Sequence, residues 1–198
     1  MTKTKIALIA LAMCCIALLA AGTMAYFTVE DTAYNVVTTA KLDMELVEET
    51  TDHQPFPDGG VSGVMPGAMV DKVVYVRNID NVDFWTRVKL TARLTMKDGE
   101  PKVIPLDELG DEYISLANLD TENWIEHEDG WFYYKHPVTD ETTPLITGVK
   151  FDEQMPNEYQ ECQFELDVYA QAVQSKHNSE TVLDAAGWPA DETQVPEM

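Results

Sequence analysis

The chain has 198 residues, with 13 Lys and Arg against 35 Asp and Glu, a formal net charge of −22. A surface that acidic excludes nucleic acid and anionic lipid as partners, because both need clustered cations. With 45% hydrophobic residues, the chain can still bury a core of single-domain size.

Lys3 and Lys5 open the chain, and an uncharged run of Ala, Leu and Ile follows from Ile6 to Ala25. Thr23 and Ala25 put small residues at the −3 and −1 positions of a signal-peptidase site, with the cut between Ala25 and Tyr26. The run is long enough to span a bilayer if left uncleaved, but no basic stop-transfer cluster follows it. In either case the lysines stay inside and Tyr26 onward is exported, so the membrane is met only through the uncleaved signal. Cys14 and Cys15 lie in this run, which leaves Cys162 alone in the mature chain. No intramolecular disulfide is then available, and Cys162 is expected to be a buried small hydrophobe.

Beyond the signal, alternation of period two dominates. Tyr26–Thr39 carries Tyr26, Phe27, Val29, Tyr34, Val36 and Val37 with only Glu30 and Asp31 charged, and would reach roughly 45 Å fully extended. Leu42, Met44 and Leu46 alternate with Asp43 and Glu45. Met65-Pro66-Gly67 reads as a turn opening a strand over Val70–Asn78. Phe84–Met96 puts Phe84, Thr86, Val88, Leu90, Ala92, Leu94 and Met96 on one face and the basic Arg87, Lys89 and Arg93 on the other. Pro105–Leu119 has the spacing of a helix, through Leu106, Leu109, Tyr113 and Leu116. Trp124–His136 reads as an aromatic hairpin around Asp129-Gly130, and Gly148–Phe151 as a short strand. Glu161–Val173 is a second long strand with an acidic outer face, expected to lie near the basic face of Phe84–Met96. Residues 189–198 form an acidic, Pro-containing tail expected to be disordered.

Seven to nine strands with little helix predict an all-β fold of two sheets packed face to face. The expected organisation is a signal peptide over 1–25, an extended segment over 26–40, a β-sandwich over 41–188 and the tail.

Three blocks of sequence share one resemblance. The first is Ala25-Tyr26-Phe27-Thr28 with Asp31, Ala33, Asn35, Val37 and Lys41-Leu42-Asp43. The second is Pro66-Gly67, Lys72, Val74, Val76 and Asn78 with Asp83-Phe84-Trp85-Thr86-Arg87-Val88. The third joins Val168–Gln174 with Ala185-Ala186-Gly187-Trp188. Together they resemble the TasA/camelysin family of secreted Gram-positive proteins, which build matrix fibres and depend on a dedicated signal peptidase. The chain departs from that pattern at Val29-Glu30, at Thr39-Ala40 and at Ile79-Asp80-Asn81, where a Gly is usual near the last two. The resemblance implies a jelly-roll-like sandwich that polymerises by donor-strand complementation, with the freed N-terminal segment of one subunit filling a groove in the next.

Chemistry-bearing residues are sparse. His127-Glu128 has Trp131 where a helical zinc site needs a second His. His53, His136 and His177 stand alone, and no Gly-x-Ser-x-Gly elbow is present. No catalytic, cofactor or metal residue is assigned. The acidic pairs Asp107-Glu108, Asp111-Glu112, Glu128-Asp129 and Asp152-Glu153 lack the spacing of a calcium loop and leave room only for weak, shared calcium at subunit contacts. The hairpin aromatics Trp124, Trp131, Phe132, Tyr133 and Tyr134 fit core or subunit contact better than a sugar platform. The sequence therefore predicts a non-enzymatic, extracellular fibre subunit whose partners are its own copies and, during export, the dedicated peptidase. A monomeric adhesive or ligand-binding sandwich is the alternative, and a camelysin-like metallo-endopeptidase a distant third.

Overall fold

A computed structural model describes residues 28–32 (as backbone), 42–57, 61, 64–97, 99–159 and 162–190. The signal segment with Ala25, and Tyr26, Phe27, Tyr34, Val36 and Val37, lie outside the described residues, as does the tail from 191 onward.

Ten strands are present among the described residues: β1 (Thr28–Thr32), β2 (Met44–Glu49), β3 (Met69–Asn78), β4 (Phe84–Thr95), β5 (Lys102–Ile104), β6 (Ile114–Ala117), β7 (Trp124–Glu126), β8 (Trp131–Tyr134), β9 (Ile146–Phe151) and β10 (Gln163–Gln174). They form an all-β sandwich. One sheet runs β1-β10-β4-β8-β7, with β5 sharing β4's edge with β8, and the other runs β2-β3-β9-β6. Every pairing is antiparallel. Only β2–β3, β4–β5 and β7–β8 are hairpins; elsewhere the chain crosses from one sheet to the other, as a jelly-roll-like sandwich requires.

Turn chemistry fixes the corners. Pro66 and Gly67 occupy the centre of a type II turn, closed by Ala68 N–H on the Met65 carbonyl at 3.0 Å, with Gly67 at a φ of 81°. In the aromatic hairpin, Gly130 takes a φ of 78° and its N–H donates to the His127 carbonyl at 2.9 Å. A Gly in the left-handed region is what a short loop of this type needs. The Ile79-Asp80 corner is organised without a glycine. The buried Asn78 amide donates to the Val82 and Val138 carbonyls, and its oxygen accepts from Asp80 N–H at 3.0 Å.

The expected helix over Pro105–Leu119 is corrected. A 3-10 helix covers Leu106–Glu112, and the chain then turns at Tyr113, with a φ of 60°, into β6. Asp107, Gly110 and Asp111 are weak helix formers, and β-branched Ile114 is buried as β6 pairs with β9. The unforeseen β5 is a three-residue strip on β4, too short to show alternation.

The core lies between the sheets. Val74, Val76, Phe84, Val88, Trp124 and Ile146 pack its centre, and Ala92, Leu94, Ile104, Leu109, Ile114 and Phe151 fill one end. Burying each large side chain contributes about 1.5–3 kcal/mol. Cys162 is half-buried against the latter cluster, and burial pushes its thiol pKa up.

A third cluster lies on the outer face of the larger sheet. There Trp85, Trp131, Tyr133 and Val173 are covered by Val182 and Ala185 of the chain that follows β10. This cover explains the burial along β4, which is continuous on both faces from Phe84 to Val88 and alternates only beyond.

Candidate assembly edge

Within the N-terminal segment, β1 forms an edge of the larger sheet. β1 pairs with β10 in the register Thr28↔Val173, Val29↔Ala172, Glu30↔Gln171, Asp31↔Ala170 and Thr32↔Tyr169. It also lies against β2, at the side where the two sheets meet. Of the residues proposed from sequence for a donor strand, Val29 is therefore placed within the chain's own sheet. Among the described residues β1 is an edge strand, with β10 as its ladder partner.

β10 is fixed on its other side by β4, over the full register from Gln163↔Thr95 to Gln174↔Phe84. The opposite charges expected on these strands meet. Arg93 stands across from Glu165 at 3.5 Å and also pairs with Asp167. Both pairs are partly exposed, so each contributes little to stability. Toward β1 the polar face is buried instead. Gln171 is 3% exposed and Arg87, directly opposite it, 7%.

Arg87 is held from several directions. Its Nε and Nη2 both donate to Gln171 Oε1, at 2.9 and 2.6 Å, and its Nη1 donates to Tyr133 Oη at 2.9 Å. The guanidinium lies 4.3 Å from the Trp131 ring centre and 4.8 Å from that of Trp188. The Pro189 carbonyl accepts a further bond from Nη2 at 3.3 Å, and Asp129 supplies the nearby negative charge at 3.8 Å. Planar stacking with forked donors is what Arg offers and Lys does not. Pro189, the first residue of the expected tail, is thus part of this packing.

The charges around the hairpin are ordered by the same contacts. Burial pushes the Asp129 carboxyl up, but hydrogen bonds from Tyr133 Oη, Trp131 N–H and His127 outweigh it and hold its pKa below the ordinary value. Burial, and then the Asp129 carboxylate, raise the Tyr133 hydroxyl. Phe132 and Tyr134 face the core while Trp131 and Tyr133 face the outer cluster, and all four are buried. Both faces of the hairpin are thus covered, which leaves none of these four rings open as a sugar platform.

The histidines do not converge. His53 contacts Glu49 at 2.6 Å, His127 contacts Asp129 at 3.2 Å, and His136 packs edge-on to Tyr134. Among the described residues, no three His, Cys, Asp or Glu gather in a way that would hold a metal ion.

Arg87, Gln171, Tyr133 and Trp188 were not singled out as a group by sequence reasoning. The available signals were Trp85 on an otherwise polar strand face and a lone Trp188 beyond the last strand. Compared with protein-family models, with curated proteins and with solved structures, the chain matches none of them.

Proposed function

We propose that this chain is a secreted structural subunit of extracellular matrix fibres, of the TasA/camelysin type, that self-assembles by strand exchange after its signal is removed before Tyr26. The observation that carries this reading is the position of β1, which among the described residues is a five-residue edge strand with β10 as its ladder partner. An edge strand can be replaced by the same segment of another copy with its backbone bonds remade one for one. Its working residues would be Tyr26, Phe27, Val29, Tyr34, Val36 and Val37 as donor, and Tyr169–Val173 of β10 as acceptor. Self-association, and not catalysis, is the proposed activity, with copies of the same chain as partners and the cell surface or matrix as location.

Disulfide trapping tests it. In a Cys162→Ser chain beginning at Tyr26, Val29→Cys with Ala172→Cys places the thiols on directly opposite positions, within the separation a disulfide bridges. Oxidised as monomers, such chains should form no filaments in electron micrographs, and reduction should restore growth. Mixing the two single-Cys chains should give interchain disulfides in the filaments. Unimpeded growth of the locked chain would overturn strand exchange and mean that copies associate through another surface, whereas monomers under every condition would favour a monomeric adhesive sandwich, which the pairing of β1 with its own β10 also fits.

A further inference from the structure

The outer face of the acceptor strand is covered along the stretch that β1 pairs with, and by a segment with no sheet role of its own. After β10 the chain folds back over the larger sheet. Ser175 is tied to the Asp83 carbonyl through both its N–H, at 3.1 Å, and its hydroxyl, at 2.9 Å. Asn178 then braces the segment internally. Its amide donates to the Gln174 and Ala186 carbonyls, both at 3.0 Å, and its oxygen accepts from Ala186 N–H at 2.9 Å. So braced, the segment buries Val182 and Ala185 against Val173, which is fully buried. It ends by laying Trp188 over Arg87 and edge-on to Tyr133, with ring centres 5.7 Å apart.

Arg87 is the joint between this segment and the edge. Two of its nitrogens grip Gln171, the β10 residue opposite Glu30 of β1, while the Pro189 carbonyl accepts from one of the same nitrogens and the Trp188 ring lies against the same guanidinium. Thr86 adds a hydroxyl bond to the Gln171 carbonyl at 3.0 Å. The carbonyl of Gln171 is thus held from β4 by Thr86, and its side chain by Arg87, which the C-terminal segment also grips.

We infer that Arg87 and the segment Ser175–Pro189 form a clamp that holds the acceptor edge of β10 in shape when β1 leaves, with Arg87 as its positioning residue. The inference rests on the strand-exchange reading for its purpose, but the clamp itself is a property of the monomer. It makes the C-terminal segment a control point for assembly at the opposite end of the chain from the donor. An edge that frays when β1 departs loses the straight row of N–H and C=O groups that an incoming strand needs.

Hydrogen exchange on the monomeric chain from Tyr26, which contains every described strand, tests the clamp. Trp188→Ala should speed exchange of the Tyr169–Val173 and Thr28–Thr32 amides by about tenfold or more, while amides of the β2–β3 ladder change little. Arg87→Lys, which keeps the charge but loses the fork onto Gln171, should act in the same place and direction. An equal rise in both ladders would mean general destabilisation and would overturn the clamp, as would no rise in either. These outcomes are independent of fibre growth, so a clamp that fails leaves strand exchange standing, and filaments from the disulfide-locked chain would defeat exchange without touching the clamp.

Discussion

Gly148 and Gly110 should respond to the same substitution with opposite signs. Gly148 is buried in β9, where a Cβ would sit 2.5 Å from the Val70 carbonyl oxygen and 3.0 Å from Met69 Cε. The methionine end can swing away, but the carbonyl belongs to β3, whose pairing with β9 runs Val70↔Val149 and Asp71↔Gly148 before the register shifts. Relief therefore requires parting two strands of the smaller sheet. Forcing a methyl group into such a site costs about 1–3 kcal/mol, less the fraction of a kcal/mol that Ala recovers in backbone entropy. For a domain of this size the net loss corresponds to a fall in Tm of about 3–8 °C. Gly110 is exposed in the 3-10 helix with nothing within 4 Å of its would-be Cβ. There Gly110→Ala should gain about 0.4–1 kcal/mol by restricting the unfolded chain. Thermal and urea unfolding followed by circular dichroism would measure both. A Gly148→Ala chain as stable as the parent would refute the packing argument at the β3–β9 contact.

Asp120 accepts bonds from Glu122 N–H, Asn123 N–H, the Asn123 amide and Thr143 Oγ1. Burial pushes its carboxyl up, but these bonds outweigh it and bring its pKa to about 2. Because that pKa lies below the unfolded one, its contribution is present above about pH 4 and is lost as the pH falls toward 2. Asp120→Ala should cost about 1 kcal/mol at neutral pH and flatten the acid limb of the stability profile over that window. Glu112 is held below the ordinary carboxylate range first by the Tyr159 hydroxyl, at 2.7 Å, and then by Lys102. Tyr159→Phe should move the Glu112 titration upward, as carbonyl-carbon NMR would follow. Leu145→Ala, at a fully buried position in the central cluster, should lose about 2–5 kcal/mol in urea unfolding.

The strands that bury one face were legible because alternation reports burial directly. Leu90, Ala92 and Leu94 point into the core as their spacing implies, and the basic and acidic faces of β4 and β10 meet at Arg93. The aromatic hairpin was legible too, since Asp129-Gly130 supplies the left-handed residue its loop needs. Legibility failed where burial had a second cause. Residues 84–88 are covered on both faces because a C-terminal segment folds over the sheet, and Val182 and Ala185 carry no periodic signal of that packing. It failed again at Leu106–Ala117, where leucines at helical spacing belong to a 3-10 helix and then a strand that share one core. The Arg87–Gln171 contact joins residues far apart in the chain, and only the β4–β10 register brings them together.

Strand exchange also has to answer a concentration argument. A tethered β1 competes for its own β10 at an effective concentration of roughly millimolar, whereas other copies at micromolar concentration are about a thousandfold more dilute. An exchange that only remade the five-residue β1 ladder would then be unfavourable by about 4 kcal/mol. The acidic charge, −22 for the full chain and more negative once Lys3 and Lys5 are removed with the signal, would add repulsion between copies. For the proposed exchange to win, the donor would have to gain something in the neighbour beyond the Thr28–Thr32 pairing. Tyr34, Val36 and Val37 follow that strand, and burying two or three such side chains contributes about 1.5–3 kcal/mol each, enough to reverse the balance. Replacing all three by Ser should abolish filaments while leaving the unfolding free energy of the monomer within about 1 kcal/mol of the parent. Added salt should lower the concentration at which the parent assembles. Filaments that persist in the triple-Ser chain at the parent's critical concentration would show that the driving force lies elsewhere, and loss of monomer stability would show that these residues already belong to the subunit's own core.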